Sequence, residues 1–295
     1  MDTQKVVLYV HPISSVAYVL DKIKQSNLKC IAIFINYDDH FSMKAPSGMD
    51  YDDVIIVPDD PNVIVQVVSE QVAKEQVLFV LPGTDEILPY VEKLEQFYCP
   101  QFTNPAIANT LRTHKDQLNK YLLKKGVPVA QQVVVDEKNI SSLSDLVAPF
   151  EYPVFVKPND GHAASFAVKK INCFSELQQH LSESLGKKNV LTKKEVKSFL
   201  LEEFLVGTEY VVDTVSYEGK HYVTGLFLYE KVYIDNEPTY LNASTMQIDS
   251  AVAEKIIAYT NDVLSASQVK FGANHTEVMY TNEGPRLIEV NPRIS

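Results

Sequence analysis

Three oxygen-bearing side chains stand close together near the end of this 295-residue sequence: Glu277 in HTEVMYT, then Glu289 and Asn291 in RLIEVNP. Asn282-Glu283-Gly284-Pro285 separates the two runs, so they read as the strands of a hairpin. Glu289 and Asn291 are two residues apart and therefore share a strand face. Carboxylate and amide oxygens are the hard donors that Mg²⁺ takes when it also holds phosphates. Leu287, Ile288 and Val290 frame Glu289, where an unpartnered buried carboxylate would be costly. The competing reading is a solvent-facing hairpin with ordinary surface acids.

Cations and a nucleotide-sized cradle accompany these acids. Lys157 ends the run YPVFVKP and precedes the short loop Asn159-Asp160-Gly161-His162-Ala163-Ala164-Ser165. A lysine at a buried strand end can aim its ammonium at a polyphosphate while loop amides cap the oxygens. It can equally leave the sheet for solvent. Lys115 lies in an earlier helix and is by itself an ordinary surface lysine. Arg293, just after Asn291-Pro292, offers a planar fork to a phosphate or carboxylate. Lys231, in LYEKVYI, suits a phosphate or substrate contact, and either base could instead serve a structural ion pair. In LLEEFLVGTE, residues 200–209, Leu205 could lie under an adenine ring, the backbone of 203–205 along its edge, and Glu209 on ribose hydroxyls.

The elements that must position these groups fall into two kinds. In the first hundred residues, VVLYV, CIAIFIN, DVIIVP and VLFVLPG alternate with stretches read as helices, including 62–75 and 84–97. Apolar strands separated by helices predict a parallel sheet covered on both faces. His11-Pro12 and Pro82-Gly83-Thr84-Asp85 follow strand ends, where such sheets collect ligands, though ordinary turns account for them as well. No GxGxxG follows the first strand and the chain has only 10 glycines, which sets a dinucleotide fold aside. From 105 onward helices give way to strands of an α+β region: 129–135, 152–158, 166–171, 199–205 and two long strands joined at Glu218-Gly219. A helix at 249–264 precedes the final hairpin.

Composition narrows the field further. A net charge of -11 argues against a broad nucleic-acid surface. A 45% hydrophobic content excludes disorder, and no apolar run reaches the ~18 residues of a membrane helix. The opening MDTQKVVLYVHP lacks the features of a secretory signal. Cys30, Cys99 and Cys173 lie far apart, suggest no disulfide ladder or thiolate cluster, and are assigned to packing in a cytoplasmic protein.

Taken in order, YPVFVKP, LLEEFLVGTEY and HTEVMYTNEGPRLIEVNPR make the sequence resemble the ATP-grasp superfamily, carboxylate–amine ligase type. HYVTGLFLYEKVY is similar to the L-amino-acid ligase and natural-product peptide ligase branch. The resemblance implies an α/β and α+β ATP-grasp fold. Its amino-terminal parallel-sheet (pre-ATP-grasp) domain would span 1–104 and its ATP-grasp region 105–295, with a central lid at about 128–201 and a carboxy-terminal antiparallel-sheet domain. ATP would lie between two antiparallel sheets, gripped by Lys115 and Lys157, with His162 and Ser165 of the loop also on the nucleotide. Glu202, Glu203, Leu205 and Glu209 would surround adenine and ribose. Glu277, Glu289 and Asn291 would hold Mg²⁺, with Mn²⁺ as an alternative, and Arg293 and Lys231 would act on the γ-phosphate and acyl phosphate.

The implied reaction joins a small-molecule carboxylate, an amino acid among the candidates, to an amine through an acyl phosphate, releasing ADP and phosphate. No nucleic acid or membrane is expected as partner, and a homodimer is the expectation by analogy. The alternatives are an ATP-dependent small-molecule kinase and a degenerate ATP-grasp nucleotide-binding protein. Two departures stand against the pattern. The loop at 159–165 carries alanines where the family favours glycine and serine. Family members also continue well past this arginine, so the sequence is expected to lack the last part of the carboxy-terminal domain.

Overall fold

The computed structural model describes residues 4–13, 16–36, 48–159, 167–188 and 195–294. The first hundred residues form β1 (Val6–Val10), α1 (Val16–Gln25), β2 (Lys29–Asn36), β3 (Asp53–Pro58), α2 (Ile64–Ser69), β4 (Val77–Pro82) and α3 (Leu88–Tyr98). The strands pair in parallel in the order β3-β2-β1-β4. The connections reverse between β1 and β4, so the crevice outside their carboxyl ends is the switch point of this sheet. All five residues of β1 are buried, as a central parallel strand requires. Edge strand β3 departs from the expected two-sided cover. Its residues alternate, with Val54 and Ile56 42% and 67% exposed while Ile55 and Val57 are buried.

The helix expected from 84 starts only at Leu88 because the preceding residues are held as a loop. The Gly83 N–H donates to the Val10 carbonyl at 2.8 Å. A Cβ on Gly83 would fall 2.2 Å from the His11 carbonyl oxygen, so the loop packs directly on the end of β1. The helix expected at 62–75 also shortens, with Lys74–Gln76 forming a separate 3₁₀ turn.

Next come α4 (Ala106–Thr113) and α5 (Lys115–Lys124), the latter stopped by Gly126 at φ 77°. Then follow β5 (Gln132–Asp136), α6 (Leu143–Val147), β6 (Val154–Pro158), β7 (Lys169–Ile171), α7 (Phe174–Ser184) and β8 (Ser198–Glu203). Their strands form an antiparallel sheet in the order β5-β8-β6-β7. This sheet has its own core, which includes Val135, Val156, Ile171, Leu177, Leu181 and Phe199.

The last part consists of β9 (Gly207–Tyr217), β10 (Lys220–Ile234), β11 (Glu237–Thr245), α8 (Ala251–Ala266), β12 (Gly272–Thr281) and β13 (Gly284–Asn291). Its antiparallel sheet runs β11-β10-β9-β12-β13. Glu218 and Gly219 turn β9 into β10 as expected, at φ 51° and 78°. Strand β11 was not anticipated. Asp235 and Asn236, at φ 52° and 66°, make the two-residue turn that creates it. Ser250 caps α8 by accepting from the Ala253 N–H at 3.1 Å. Ala253, Ile256, Val263 and Leu264 of α8 are buried in the core that also takes in Val212 and Val278. Each such fully buried Val or Leu contributes about 1.5–3 kcal/mol.

Among the described residues no helix is long and apolar enough to cross a membrane. Cys30 and Cys99 are buried, as packing residues should be. The packing assignment of Cys173 is corrected: it is exposed at the start of α7, its Sγ 3.2 Å from Ser175 Oγ.

Candidate active site

Strand alternation gathers the chemistry on one face of the last sheet. Glu277 on β12 stands directly across from Glu289 on β13, and His275 from Asn291. On the other side of β12, His275 is opposite Asp213 of β9, and Glu209 lies two pairs further along the same face. Strand β10 adds Tyr229, opposite Glu209, and Lys231. The reverse face of β9 and β12 carries Val212, Thr214, Thr276 and Val278, all buried.

Four cations border this face. Lys115, the first residue of α5, places its Nζ 3.1 Å from Glu289 Oε2. Lys157, at the end of β6 in the middle sheet, is only 6% exposed, which excludes a lysine that simply leaves for solvent. Its Nζ lies 2.7 Å from Glu202 Oε2 and donates across to the Ile288 carbonyl of β13 at 3.5 Å. Lys157 therefore bridges the two antiparallel sheets. Lys231 Nζ donates to Glu209 Oε1 at 2.5 Å, lies 3.8 Å from Glu277 Oε2, and sits 4.2 Å over the Tyr240 ring. Arg293 reaches the amino-terminal sheet, with its Nε 3.1 Å from Asp85 Oδ1.

These pairings set the protonation of the site. Burial alone would raise the Glu289 carboxyl, but Lys115, the Asn291 amide and Lys157 hold it well below the usual carboxylate range. Lys115 is raised in turn, chiefly by Glu289. Burial disfavours a charged Lys231, yet Glu277 and Glu209 outweigh it and raise its pKa. Burial likewise disfavours the His275 imidazolium, but the hydrogen bond to Asp213 and the neighbouring Glu277 carboxylate raise its pKa to about 9.

The donor set suits a hard cation that shares its coordination with a ligand. Glu277 and Glu289 face each other in register, and Asn291 is locked beside them by its Nδ2, which donates to Glu289 Oε1 at 2.9 Å. Among the described residues no group of three or more His, Cys, Asp or Glu side chains could hold a metal ion. Two carboxylates and an amide are few enough ligands to leave positions for phosphate oxygens on a cation such as Mg²⁺.

Not every anticipated residue enters the site with its side chain. The Glu203 carboxylate accepts from the Gln131 N–H at 2.9 Å and the Glu203 N–H donates back to the Gln131 carbonyl at 3.0 Å, which pins β8 to the residue before β5. The Glu202 carboxylate belongs to Lys157 rather than to open space. Leu205 is half-buried in the link between β8 and β9. His162 and Ser165 lie outside the described residues. Asp213, Tyr229 and His275 were missed by sequence reasoning, although the period-2 spacing of His275 and Glu277 on one strand was a readable signal.

Residues 150–295 match a family described as the ATP-grasp domain. Dapdiamide A synthase of Enterobacter agglomerans is 26% identical over 217 residues, covering 73% of this chain and 50% of that protein. D-alanine–D-alanine ligase of Parabacteroides distasonis is 30% identical over 131 residues, 44% of this chain and 36% of that enzyme. The chain spans about half the length of the first curated relatives it matches. Among solved structures, the L-amino acid ligase from Bacillus licheniformis superposes with a TM-score of 0.73 at 19% identity, covering 100% of this chain and 68% of that one. The N5-carboxyaminoimidazole synthetase from Staphylococcus aureus, complexed with ADP, gives 0.73 at 13% identity, covering 100% and 73%. At these identities the structural matches show a shared fold.

Proposed function

The chain belongs to the ATP-grasp superfamily, and from that premise we propose that it acts as an ATP-dependent ligase joining a small-molecule carboxylate to an amine. The observation that carries the reading is the in-register pair Glu277–Glu289 with Asn291, ringed by Lys115, Lys157, Lys231 and Arg293.

In this reading Lys115 and Lys157 exchange their carboxylate partners for nucleotide phosphates, which hold the γ-phosphorus in line with the incoming carboxylate. The backbone at 203–205 borders adenine with Leu205 beneath it, and Glu209 takes the ribose hydroxyls. Glu277, Glu289 and Asn291 would hold Mg²⁺, or Mn²⁺ in its place. The bound ion would neutralise charge on the phosphates. Lys231 and Arg293 place fixed positive potential where oxygen charge develops. The substrate carboxylate oxygen bonds to the γ-phosphorus as ADP leaves. The amine then bonds to the acyl carbon, phosphate departs with that oxygen, and an amide remains. No side-chain nucleophile is required. The substrate classes, a cytoplasmic location and a homodimer belong to the same reading.

The test is coupled measurement of ADP and phosphate release with amino acids offered singly and in pairs. Release of both with amide product only when carboxylate and amine are present supports ligation. A phosphorylated product without free phosphate would make the protein a kinase. Tight ATP binding without turnover would make it a nucleotide-binding protein.

A further inference from the structure

Behind Glu277 lies a buried polar chain that the ligase reading does not use. The His275 Nδ1–H donates to Asp213 Oδ1 at 2.7 Å, between residues directly opposite on β12 and β9. The other ring nitrogen, Nε2, lies 3.6 Å from Glu277 Oε1. The side chains of Asp213, His275 and Glu277 are 15%, 5% and 9% exposed, so the chain runs through low-dielectric interior where such contacts fix geometry strongly. The Tyr229 ring leans on the imidazole at 6.3 Å and 46°. Gly225, opposite Asp213, leaves space for Phe227: a Cβ there would fall 2.7 Å from the Phe227 ring and 3.7 Å from Asp213 Cβ.

Glu277 is restrained differently from its neighbours. Glu289 and Glu209 are each engaged by a lysine, at 3.1 and 2.5 Å. Glu277 instead lies between His275 at 3.6 Å on Oε1 and Lys231 at 3.8 Å on Oε2. Both distances exceed that of a direct hydrogen bond. The carboxylate is thus flanked by an imidazole and an ammonium, with the Glu209 carboxyl beside it, and neither nitrogen is close enough to claim its lone pairs. Asp213 fixes the plane of the imidazole, and the imidazole's other nitrogen faces Glu277.

We propose that Asp213 and His275 are positioning residues that hold the Glu277 carboxylate ready for a divalent cation. The proposal rests on the reading of Glu277 as a metal ligand. Outer partners that orient a metal-binding side chain commonly govern affinity about 10- to 100-fold.

The experiment measures Mn²⁺ binding by electron paramagnetic resonance, with the full chain saturated by a non-hydrolysable ATP analogue. His275→Ala and Asp213→Asn should weaken Mn²⁺ about 10- to 100-fold, leave metal-free analogue binding unchanged, and keep the wild-type circular dichroism spectrum. His275→Gln, which can still donate toward Glu277, should recover part of the loss. Should His275→Ala fail to fold, Asp213→Asn and His275→Gln carry the same comparison. A folded His275 or Asp213 variant with wild-type Mn²⁺ affinity, alongside a Glu277→Gln variant that loses Mn²⁺, overturns the positioning role. Wild-type Mn²⁺ affinity in Glu277→Gln itself overturns the metal reading beneath it.

Discussion

Asp85 and Arg293, 208 positions apart, pair at 3.1 Å and join the carboxyl end of β4 to the residues just past β13. The carboxylate takes the guanidinium Nε, while Nη1 donates to the Ile294 carbonyl. The amino-terminal sheet thereby aims the last cation of the site. The Gly83 contact with the His11 carbonyl, two residues before Asp85, anchors that aim to β1.

The Asp85–Arg293 pair is partly exposed, so its deletion should cost less than about 1 kcal/mol of stability. Its effect on catalysis should be larger, because misplacement by about 1 Å can cost up to 10²-fold in rate. Asp85→Ala is expected to lower kcat at least tenfold with little change in thermal midpoint or in the KM for ATP. Steady-state kinetics and a melting curve on the same preparation check both halves.

Lys157 and Glu202 should show that binding and stability can be separated. Both side chains are buried, and removing one partner of such a pair costs about 3–5 kcal/mol because the other charge is stranded. Lys157→Met should therefore weaken ATP binding and lower the unfolding free energy together. Adding Glu202→Gln should restore most of the stability and none of the ATP affinity. Calorimetric titration and urea unfolding of the single and double variants measure this.

His11 should give the fold an acid limb. It is buried, and the Ile35 N–H donates to its Nδ1 at 3.4 Å, a contact the neutral ring makes and the protonated ring cannot. Burial lowers its pKa from 6.5 to about 4. The unfolded chain therefore takes up a proton near pH 6.5 that the folded chain refuses until about pH 4. Its contribution is complete above pH 6.5 and is lost as pH falls through 4, a decline of about 3 kcal/mol. His11 also sits at φ 51°, a conformation asparagine tolerates. Unfolding curves from pH 8 to 4 should fall less steeply for His11→Asn than for the wild type.

How much of this was legible in the sequence follows from where each signal resides. Glu277, Glu289 and Asn291 could be placed on one face because strand period is local and Asn282-Glu283-Gly284-Pro285 marks the hairpin. Strand β11 escaped because Asp235-Asn236 is a weaker type I′ signal than Asn-Gly or Asp-Gly. The parallel sheet was readable from its apolar runs, but the one-sided exposure of Val54 and Ile56 depends on β3 lying at the edge. Partnerships were the least legible. Lys157 with Ile288, Asp85 with Arg293, and Asp213 with His275 join residues distant in sequence, and register between nonadjacent strands has no local signature.

Glu289 offers a focused check of the metal reading. Glu289→Gln keeps the shape of β13 but removes the charge that meets Lys115. It should lower Mg-ATP-dependent turnover at least 10²-fold while the far-ultraviolet circular dichroism spectrum stays unchanged. Unaltered kinetics would remove Glu289 from the cation site.

The most direct test of the central claim follows an oxygen atom. Substrate carboxylate labelled with ¹⁸O is incubated with ATP, Mg²⁺, the amine and the wild-type chain, and the released phosphate is analysed by mass spectrometry. Passage through an acyl phosphate predicts one ¹⁸O atom in each phosphate released with amide product. Amide formation with unlabelled phosphate, or phosphate release that needs no carboxylate, would contradict it.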